Sequence, residues 1–230
     1  MNQNLTKATI SIIIPTLNEA KNVKEAIAST QPSANIEIIV VDGGSSDDTV
    51  QICQSLGVKV ISSSSGRAVQ MNAGAAVASG EILLFLHADT RLSVGFDVQI
   101  RQALSQPKIV AGAFDLQIDA SPFVFRLVEW GVKWRSRLFQ MPYGDQAIFL
   151  TKKVFQEIGG FPELPIMEDF ELIRQLHSTG RIVILSTPVI TSARRWLQKG
   201  VFKTTLLNQI IIIAYLFGVS PQQIRSWYRR

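Results

Sequence analysis

The sequence predicts an α/β fold: a mostly parallel sheet with helices on both faces. Three observations carry that expectation. Four short runs, Ile10 to Pro15, Glu37 to Asp42, Val58 to Ile61 and Glu81 to Leu86, are close to continuously apolar, as strands covered on both faces are. Stretches with helical character separate them, the spacing expected of β-α-β units. No segment rich in Gly, Pro or Ser divides the chain, so its second half reads as a continuation of the same domain.

Taken in order, Ile10 to Pro15 is the first strand and Asn18 to Ser29 the first helix, with Asn18 placed to cap it and Glu19 in its first turn. Glu37 to Asp42 (EIIVVD) is a second strand. Ser45 to Leu56 follows as a helix, with Ser45 or Ser46 at its cap and Asp47 and Asp48 behind. Val58 to Ile61 is the third strand, Arg67 to Ala78 a helix of small residues, and Glu81 to Leu86 the fourth strand. Asp97 to Leu104 is a helix, and beyond it the pattern loosens. Val110 to Ile118 reads as a strand, Pro122 to Phe139 as an amphipathic stretch and Tyr143 to Leu150 as a strand. Phe170 to Ser178 is a helix and Ile182 to Leu185 a late strand. The expected organisation is one domain over residues 1–230. Residues from about 8 to 105 form a regular half, those from about 106 to 190 a mixed half, and those from about 191 to 230 a helical end.

Composition narrows the class. With 47% apolar and 18% charged residues in 230, the chain can bury a sizeable core, and no block has the bias of a disordered segment. The net charge of +5 is unevenly placed. Arg126, Lys133, Arg135 and Arg137 form one basic group, Arg194, Arg195, Lys199 and Lys203 another, and Arg225, Arg229 and Arg230 close the chain. Such a surplus suits nucleic acid, an anionic membrane surface or a phosphate-bearing substrate. Nucleic acid is disfavoured, because the aromatic residues are not interleaved with Lys and Arg as a stacking platform requires. A single cysteine, Cys53, excludes an intramolecular disulfide and fits a reducing, cytoplasmic compartment; it reads as small core filler. The opening MNQNLTKATI has no apolar core of the kind a signal peptide needs. Ile210 to Phe217 is apolar but falls short of the roughly 18 to 20 residues of a spanning helix. It suits a core helix, a homodimer contact or a segment lying in a membrane surface. Phe123, Leu127, Trp130, Trp134 and Leu138 recur at helical spacing, which suits an interfacial helix or a core helix with one wet face. With Trp196 and the segment Leu206 to Phe217 they point to a lipid-linked or apolar ligand, or to peripheral contact with the inner face of a membrane.

In an open parallel sheet, ligands bind beyond the carboxyl ends of the strands. Here those ends carry Pro15-Thr16-Leu17-Asn18-Glu19, Asp42-Gly43-Gly44-Ser45 and His87-Ala88-Asp89. Singly these are caps and turns; gathered at one edge they favour a site. A dehydrogenase fingerprint would place glycines after the first strand, where the chain reads PTLNE, and a phosphate-binding P-loop is also missing.

These residues carry a resemblance. SIIIPTLNEAKNV, IEIIVVDGGSSDDT, GRAVQMNAGAAVASG and LLFLHADT resemble the nucleotide-sugar half of family 2 glycosyltransferases of the glycosyltransferase A-type, Rossmann-like fold. GDQAIFLTKKVFQEIGGFPELPIMEDFEL resembles the acceptor half of the same family. LHADT, YGDQAIF and MEDFEL together resemble a small subgroup associated with arsenosugar biosynthesis.

The resemblance implies a transferase that moves a sugar from a nucleotide-diphosphate donor to an acceptor hydroxyl with inversion. Pro15, Thr16 and Glu19 would line the nucleoside pocket, Asp42 would accept hydrogen bonds from base or ribose, and Arg67 would reach the diphosphate. Asp89 stands at the metal-binding position, for Mg²⁺ or Mn²⁺ bridging to the donor phosphates, a role that suits a carboxylate and a hard cation. His87 replaces an acid of that motif and is read either as a ligand or as a packing group behind one. Asp169 would be the general base, Glu168 its support, and Asp145 and Gln146 would orient sugar or acceptor. The reading from another class is a nucleotide-sugar-binding protein without turnover.

Overall fold

The computed structural model describes residues 5–31 and 33–229; Met1 to Asn4 of the opening stretch and the basic Arg230 lie outside them. Eight strands form one mixed sheet: β1 (Ile10–Thr16), β2 (Ile36–Asp42), β3 (Lys59–Ser62), β4 (Ile82–Phe85), β5 (Thr90–Arg91), β6 (Ile109–Asp119), β7 (Phe149–Thr151) and β8 (Arg181–Ser192). Their order is β3-β2-β1-β4-β7-β6-β8-β5. The helices are α1 (Val23–Ala28), α2 (Thr49–Ser55), α3 (Arg67–Val77), α4 (Phe96–Leu104) and α5 (Phe123–Phe139). They continue with α6 (Lys152–Glu157), α7 (Glu168–Leu176), α8 (Arg194–Lys199), α9 (Val201–Leu216) and α10 (Pro221–Arg229).

The first four strands are mutually parallel, and every residue of β1 is buried. Strand periodicity then divides the core in two. Ile10, Ile12 and Ile14 pack with Val23 and Ile27 of α1 and with Phe96 and Ile100 of α4. Ile13 faces the other way, onto Ala68, Met71 and Ala75 of α3 and Leu172 and Ile173 of α7. The small residues of α3 have a steric reason. A Cβ on Gly74 would lie 2.4 Å from Ile13 Cγ2, so the helix backbone rests directly on the sheet. Cys53 is fully buried among the first group.

Register brings Thr16 beside Asp42 and Ile13 beside Phe85, so β1, β2 and β4 end at one edge. Both loops there are longer than the periodicity implies, and both helices start later. Asn18 takes a left-handed φ of +56° and accepts from Ser46 N at 2.8 Å. Glu19 N donates to Thr49 Oγ1 at 2.9 Å, and Asp47 accepts from Ala20 N at 3.2 Å. Side chains with helix-capping chemistry thus join one loop to the other.

The second half continues the sheet. β7 runs antiparallel to β4 and β6, while β8 runs parallel to β6 and antiparallel to β5. The strand expected over Tyr143 to Leu150 is instead a 3-10 turn, Gly144–Gln146, followed by the shorter β7. The late strand runs on to Ser192, through an irregularity opposite Phe114 and Asp115.

α5 is a helix, but its apolar stripe faces outward: Phe123, Leu127, Trp130, Trp134 and Leu138 are each more than half exposed. α9 and α10 fold back so that Ile211 and Ile224 pack on Ile166, Met167 and Phe170, near the start of α7. No helix among the described residues is long and apolar enough to cross a membrane.

Candidate active site

Two adjoining cavities lie beyond the sheet edge, of about 450 and 260 Å³. Arg67, His87, Asp89, Ile166 and Tyr228 belong to the walls of both. The larger is reached by Pro15, Thr16 and Glu19; the smaller holds Tyr143, Asp145 and Asp169. Of the residues singled out in the sequence, the fold brings these eight to the cavity walls: Pro15, Thr16, Glu19, Arg67, His87, Asp89, Asp145 and Asp169.

Asp42, expected to meet base or ribose, is set back from the cavities. It is buried and belongs to neither wall. One carboxylate oxygen accepts from Gly44 N and Ser45 N, each at 2.9 Å, and the other from the hydroxyls of Ser45 and Thr16. Burial alone would raise its pKa. The hydrogen bonds from Ser45, Gly44 and Thr16 outweigh that and hold the carboxyl below its ordinary value. Asp42 therefore shapes the loop that the two glycines open, and its oxygens are already taken.

His87 and Asp89 leave β4 through a tight turn closed by Thr90 N to His87 O at 3.0 Å. Burial, then the positive charge of Arg67, push the His87 pKa down to about 4 against the pull of Asp169, so the imidazole is neutral near pH 7. Gly144 packs against it: a Cβ there would meet His87 Nε2 at 3.0 Å and Asp169 Oδ2 at 3.3 Å. Asp89 is held above its ordinary pKa by burial and by Glu19. Arg194 neutralises both acids, forking onto Glu19 at 2.7 and 3.2 Å and reaching Asp89 Oδ2 at 3.7 Å.

The other wall comes from the start of α7. Asp169 Oδ2 accepts from Gly144 N at 2.7 Å and Oδ1 from its neighbour Phe170 N at 2.8 Å, so two backbone donors fix the carboxylate. Glu168 is buried and takes Arg67 Nε at 2.8 Å. Burial and the nearby Asp169 keep its pKa raised despite that partner. Among the described residues, Asp145 Oδ1 has no hydrogen-bond partner. Burial raises its pKa to about 6, aided by the charges of Asp169 and Asp89 and opposed by Arg135 and Arg67. Gln146, expected at the site, is fully buried instead. It donates to Phe114 O at 2.9 Å and Ser136 Oγ at 3.2 Å, and it accepts from Arg135 at 3.0 Å. It holds the loop; it does not face the cavity.

The fold also brings in residues that the sequence marked only as charge or bulk, or did not mark. Arg195 and Trp196 line the smaller cavity, as do Thr204, Asn208, Ile211 and Ile212 of α9. Arg195 stacks 3.5 Å over the ring of Tyr228 from α10. The spacing of the four α9 residues along one helical face was the signal available for them.

No cluster of three or more His, Cys, Asp or Glu side chains able to hold a metal ion occurs among the described residues. The cavities offer the Asp89 carboxylate, the neutral His87 and the free Asp145 Oδ1. That set is too sparse for a closed protein cage. It fits Mg²⁺ or Mn²⁺ taking one or two side chains, with substrate phosphates and water completing the shell.

Known proteins supply the comparison. The family described as Glycosyl transferase family 2 matches residues 11–158. A PGL/p-HBAD biosynthesis glycosyltransferase of Mycobacterium tuberculosis is 40% identical over 169 residues, which cover 66% of this chain and 62% of that protein. Glycosyltransferase AglE of Haloferax volcanii is 33% identical over 91 residues, 35% of this chain and 30% of that one. The matched part therefore spans less than two thirds of these relatives' own lengths. Among solved structures, the mannosyltransferase PcManGT of Pyrobaculum calidifontis, in complex with GDP-Man and Mn²⁺, has a TM-score of 0.67 at 18% identity, covering 96% of this chain and 69% of that one. TarS of S. aureus has a TM-score of 0.65 at 20% identity, covering 80% and 60%. These likenesses establish the glycosyltransferase A-type fold, and the family match over more than half of its length shows that the chain belongs to glycosyl transferase family 2.

Proposed function

We propose that the protein transfers a sugar from a nucleotide-diphosphate donor to an acceptor hydroxyl, with inversion at the anomeric carbon. One observation carries this reading: the Asp169 carboxylate, held by two backbone donors, lines the same cavity as Asp89, His87 and Arg67. A base and a phosphate-binding group then share a space large enough for a sugar. Solved neighbours in complex with UDP, UDP-GlcNAc or GDP-Man support a nucleotide-sugar donor, and those with Mn²⁺ support a divalent ion.

In this reading the nucleoside lies in the larger cavity against Pro15, Thr16 and Glu19, and Arg67 contacts the diphosphate. Asp89, with His87 beside it, would hold Mg²⁺ or Mn²⁺, whose charge makes the diphosphate a better leaving group. Asp169 accepts the acceptor's hydroxyl proton as that oxygen bonds to the anomeric carbon. The bond from that carbon to the diphosphate oxygen breaks, and its electron pair leaves with the nucleoside diphosphate. One displacement inverts the centre. Glu168 keeps Arg67 in place, and Asp145 orients the sugar.

The whole chain acts as one unit in this proposal, with the regular half serving the donor and the mixed half the acceptor. The stretches LHADT, YGDQAIF and MEDFEL support placing it in the subgroup associated with arsenosugar biosynthesis. It works in the cytoplasm at the inner face of a membrane, through the outward apolar side chains of α5 and α9. With α8, these helices carry eight basic residues and one acidic, while the whole chain has a net charge of +5, so the rest of the chain is net acidic. That asymmetry matches an anionic surface.

The test is a panel of UDP- and GDP-sugars with Mn²⁺, read by thermal shift and by release of nucleoside diphosphate. Turnover lost in Asp89→Ala and Asp169→Asn supports transfer. Binding without turnover for every donor and acceptor tried supports the non-catalytic alternative.

A further inference from the structure

The 260 Å³ cavity has a mixed lining. Asp89, Asp145 and Asp169 contribute carboxylates, and Ile166, Phe170, Ile211 and Ile212 contribute apolar surface. Thr204, Asn208, Ile211 and Ile212 follow one another at helical spacing, so a single face of α9 builds much of the roof. The opposite face of the same helix is bare, with Phe202, Leu206, Ile210 and Ile213 exposed.

The polar atoms of this wall are incomplete. Seven buried side-chain polar atoms lack a hydrogen-bond partner among the described residues, and four of them belong to this one cavity's lining: Asp145 Oδ1, Arg195 Nη2, Trp196 Nε1 and Thr204 Oγ1. Buried polar groups are nearly always paired, so such a concentration marks a surface that a ligand completes. One acceptor atom and three donor groups beside an apolar wall describe a ligand with a hydroxylated head and a hydrocarbon body.

We infer that this cavity is the acceptor subsite and that the acceptor is an amphiphile, a hydroxyl-bearing head on an apolar body. This rests on the transfer reaction proposed above and names its second substrate. The head presents one hydroxyl to Asp169 and pairs others with Arg195, Trp196 and Thr204. The body lies along Ile166, Phe170, Ile211 and Ile212, where a bare sugar would leave the wall in water.

The experiment pairs methyl with n-octyl glycosides of glucose, mannose and galactose, below micelle-forming concentrations, as acceptors for whichever donor binds with Mn²⁺. The octyl members are expected to exceed their methyl partners by about tenfold or more in kcat/KM, mainly through KM, as burial of several methylenes gives. In I211S/I212S that advantage disappears, while a cooperative melting transition shows that the variant is folded. Equal use of methyl and octyl glycosides, an octyl advantage that survives I211S/I212S, or use of methyl glycosides with no octyl glycoside accepted overturns the inference and leaves the transfer reaction standing. If none of the donors binds, the transfer reaction itself fails.

Discussion

Arg67 Nε lies 2.8 Å from Glu168 Oε1, and this ion pair ties the start of α3 to the start of α7. The Glu168 side chain is only 3% exposed, whereas that of Arg67 is 41% exposed. The arginine thus keeps an open side toward the cavities while its partner is sealed behind it. Burial works against its charge, but Glu168, Asp169, Asp145 and Asp89 outweigh that and hold the guanidinium firmly protonated.

Arg67→Gln should therefore have two effects. A buried Glu168 left without its cation should cost roughly 2–4 kcal/mol of stability, somewhat less than a fully buried pair because the arginine is half open to solvent. Affinity for UDP or GDP should fall as well if the open side meets the diphosphate. Urea denaturation reads the first and calorimetric titration of the nucleotide with Mn²⁺ the second. A loss of stability with nucleotide affinity unchanged would reduce Arg67 to a structural ion pair.

Asp169→Asn removes the proposed base but keeps an acceptor oxygen for Gly144 N. The expected result is a fall in kcat of about 10²–10⁴-fold with donor affinity little changed. Gly144→Ala probes the same geometry without touching a titratable group. Its Cβ would press on His87 Nε2 at 3.0 Å and Asp169 Oδ2 at 3.3 Å, so both must give way. A kcat loss of roughly tenfold or more is expected from that displacement. A Gly144→Ala enzyme of unchanged kcat would show that neither position is critical.

Asp145 predicts a pH dependence of stability in the donor-free, metal-free chain. Its folded pKa of about 6 lies above the ordinary 3.8, so the unfolded chain releases this proton first as pH rises. The group's contribution favours the folded state at pH 4 and declines across the interval up to about 6, with no further change above. Wild type should lose melting temperature relative to Asp145→Asn over that interval. Parallel pH profiles for the two proteins would refute the assignment.

Membrane contact is checked by flotation with vesicles of phosphatidylcholine alone or mixed with phosphatidylglycerol. Binding is expected to the anionic vesicles, to weaken in 0.5 M salt, and to fall roughly tenfold or more in Trp130→Ser/Trp134→Ser. Those two residues are 63% and 56% exposed, and their rings stack edge to face on each other. Failure to float, with a concentration-dependent dimer that the same double substitution disperses, would assign the face to a homodimer contact instead.

The legible part of this protein was local. Continuous apolar runs marked β1, β2, β3 and β4, because strands covered on both faces exclude polar side chains. The same logic placed Thr16, Glu19, His87 and Asp89 where strands leave the core, and there the structure has them, in the walls of one pair of cavities. Tertiary structure decided which of those groups remain free. Asp42 occupies as promising a strand end as Asp89 does, yet Thr16, Gly44 and Ser45 consume its oxygens while Asp89 keeps an open side. Gln146 stands next to Asp145 and points into the core, where Phe114 O and Ser136 Oγ, 32 and 10 residues away, hold it. Helical spacing found the stripe on α5 but not its direction, since a face turns inward only if another element covers it. The C-terminal helices are the largest case. Sequence showed α9 as an apolar run; only its return over α7 turned Thr204, Asn208, Ile211 and Ile212 into a cavity wall. Residue types and their period set which elements form and what their ends carry. Contacts between residues far apart in the chain set which side chains are satisfied, and the unsatisfied ones are what is left for chemistry.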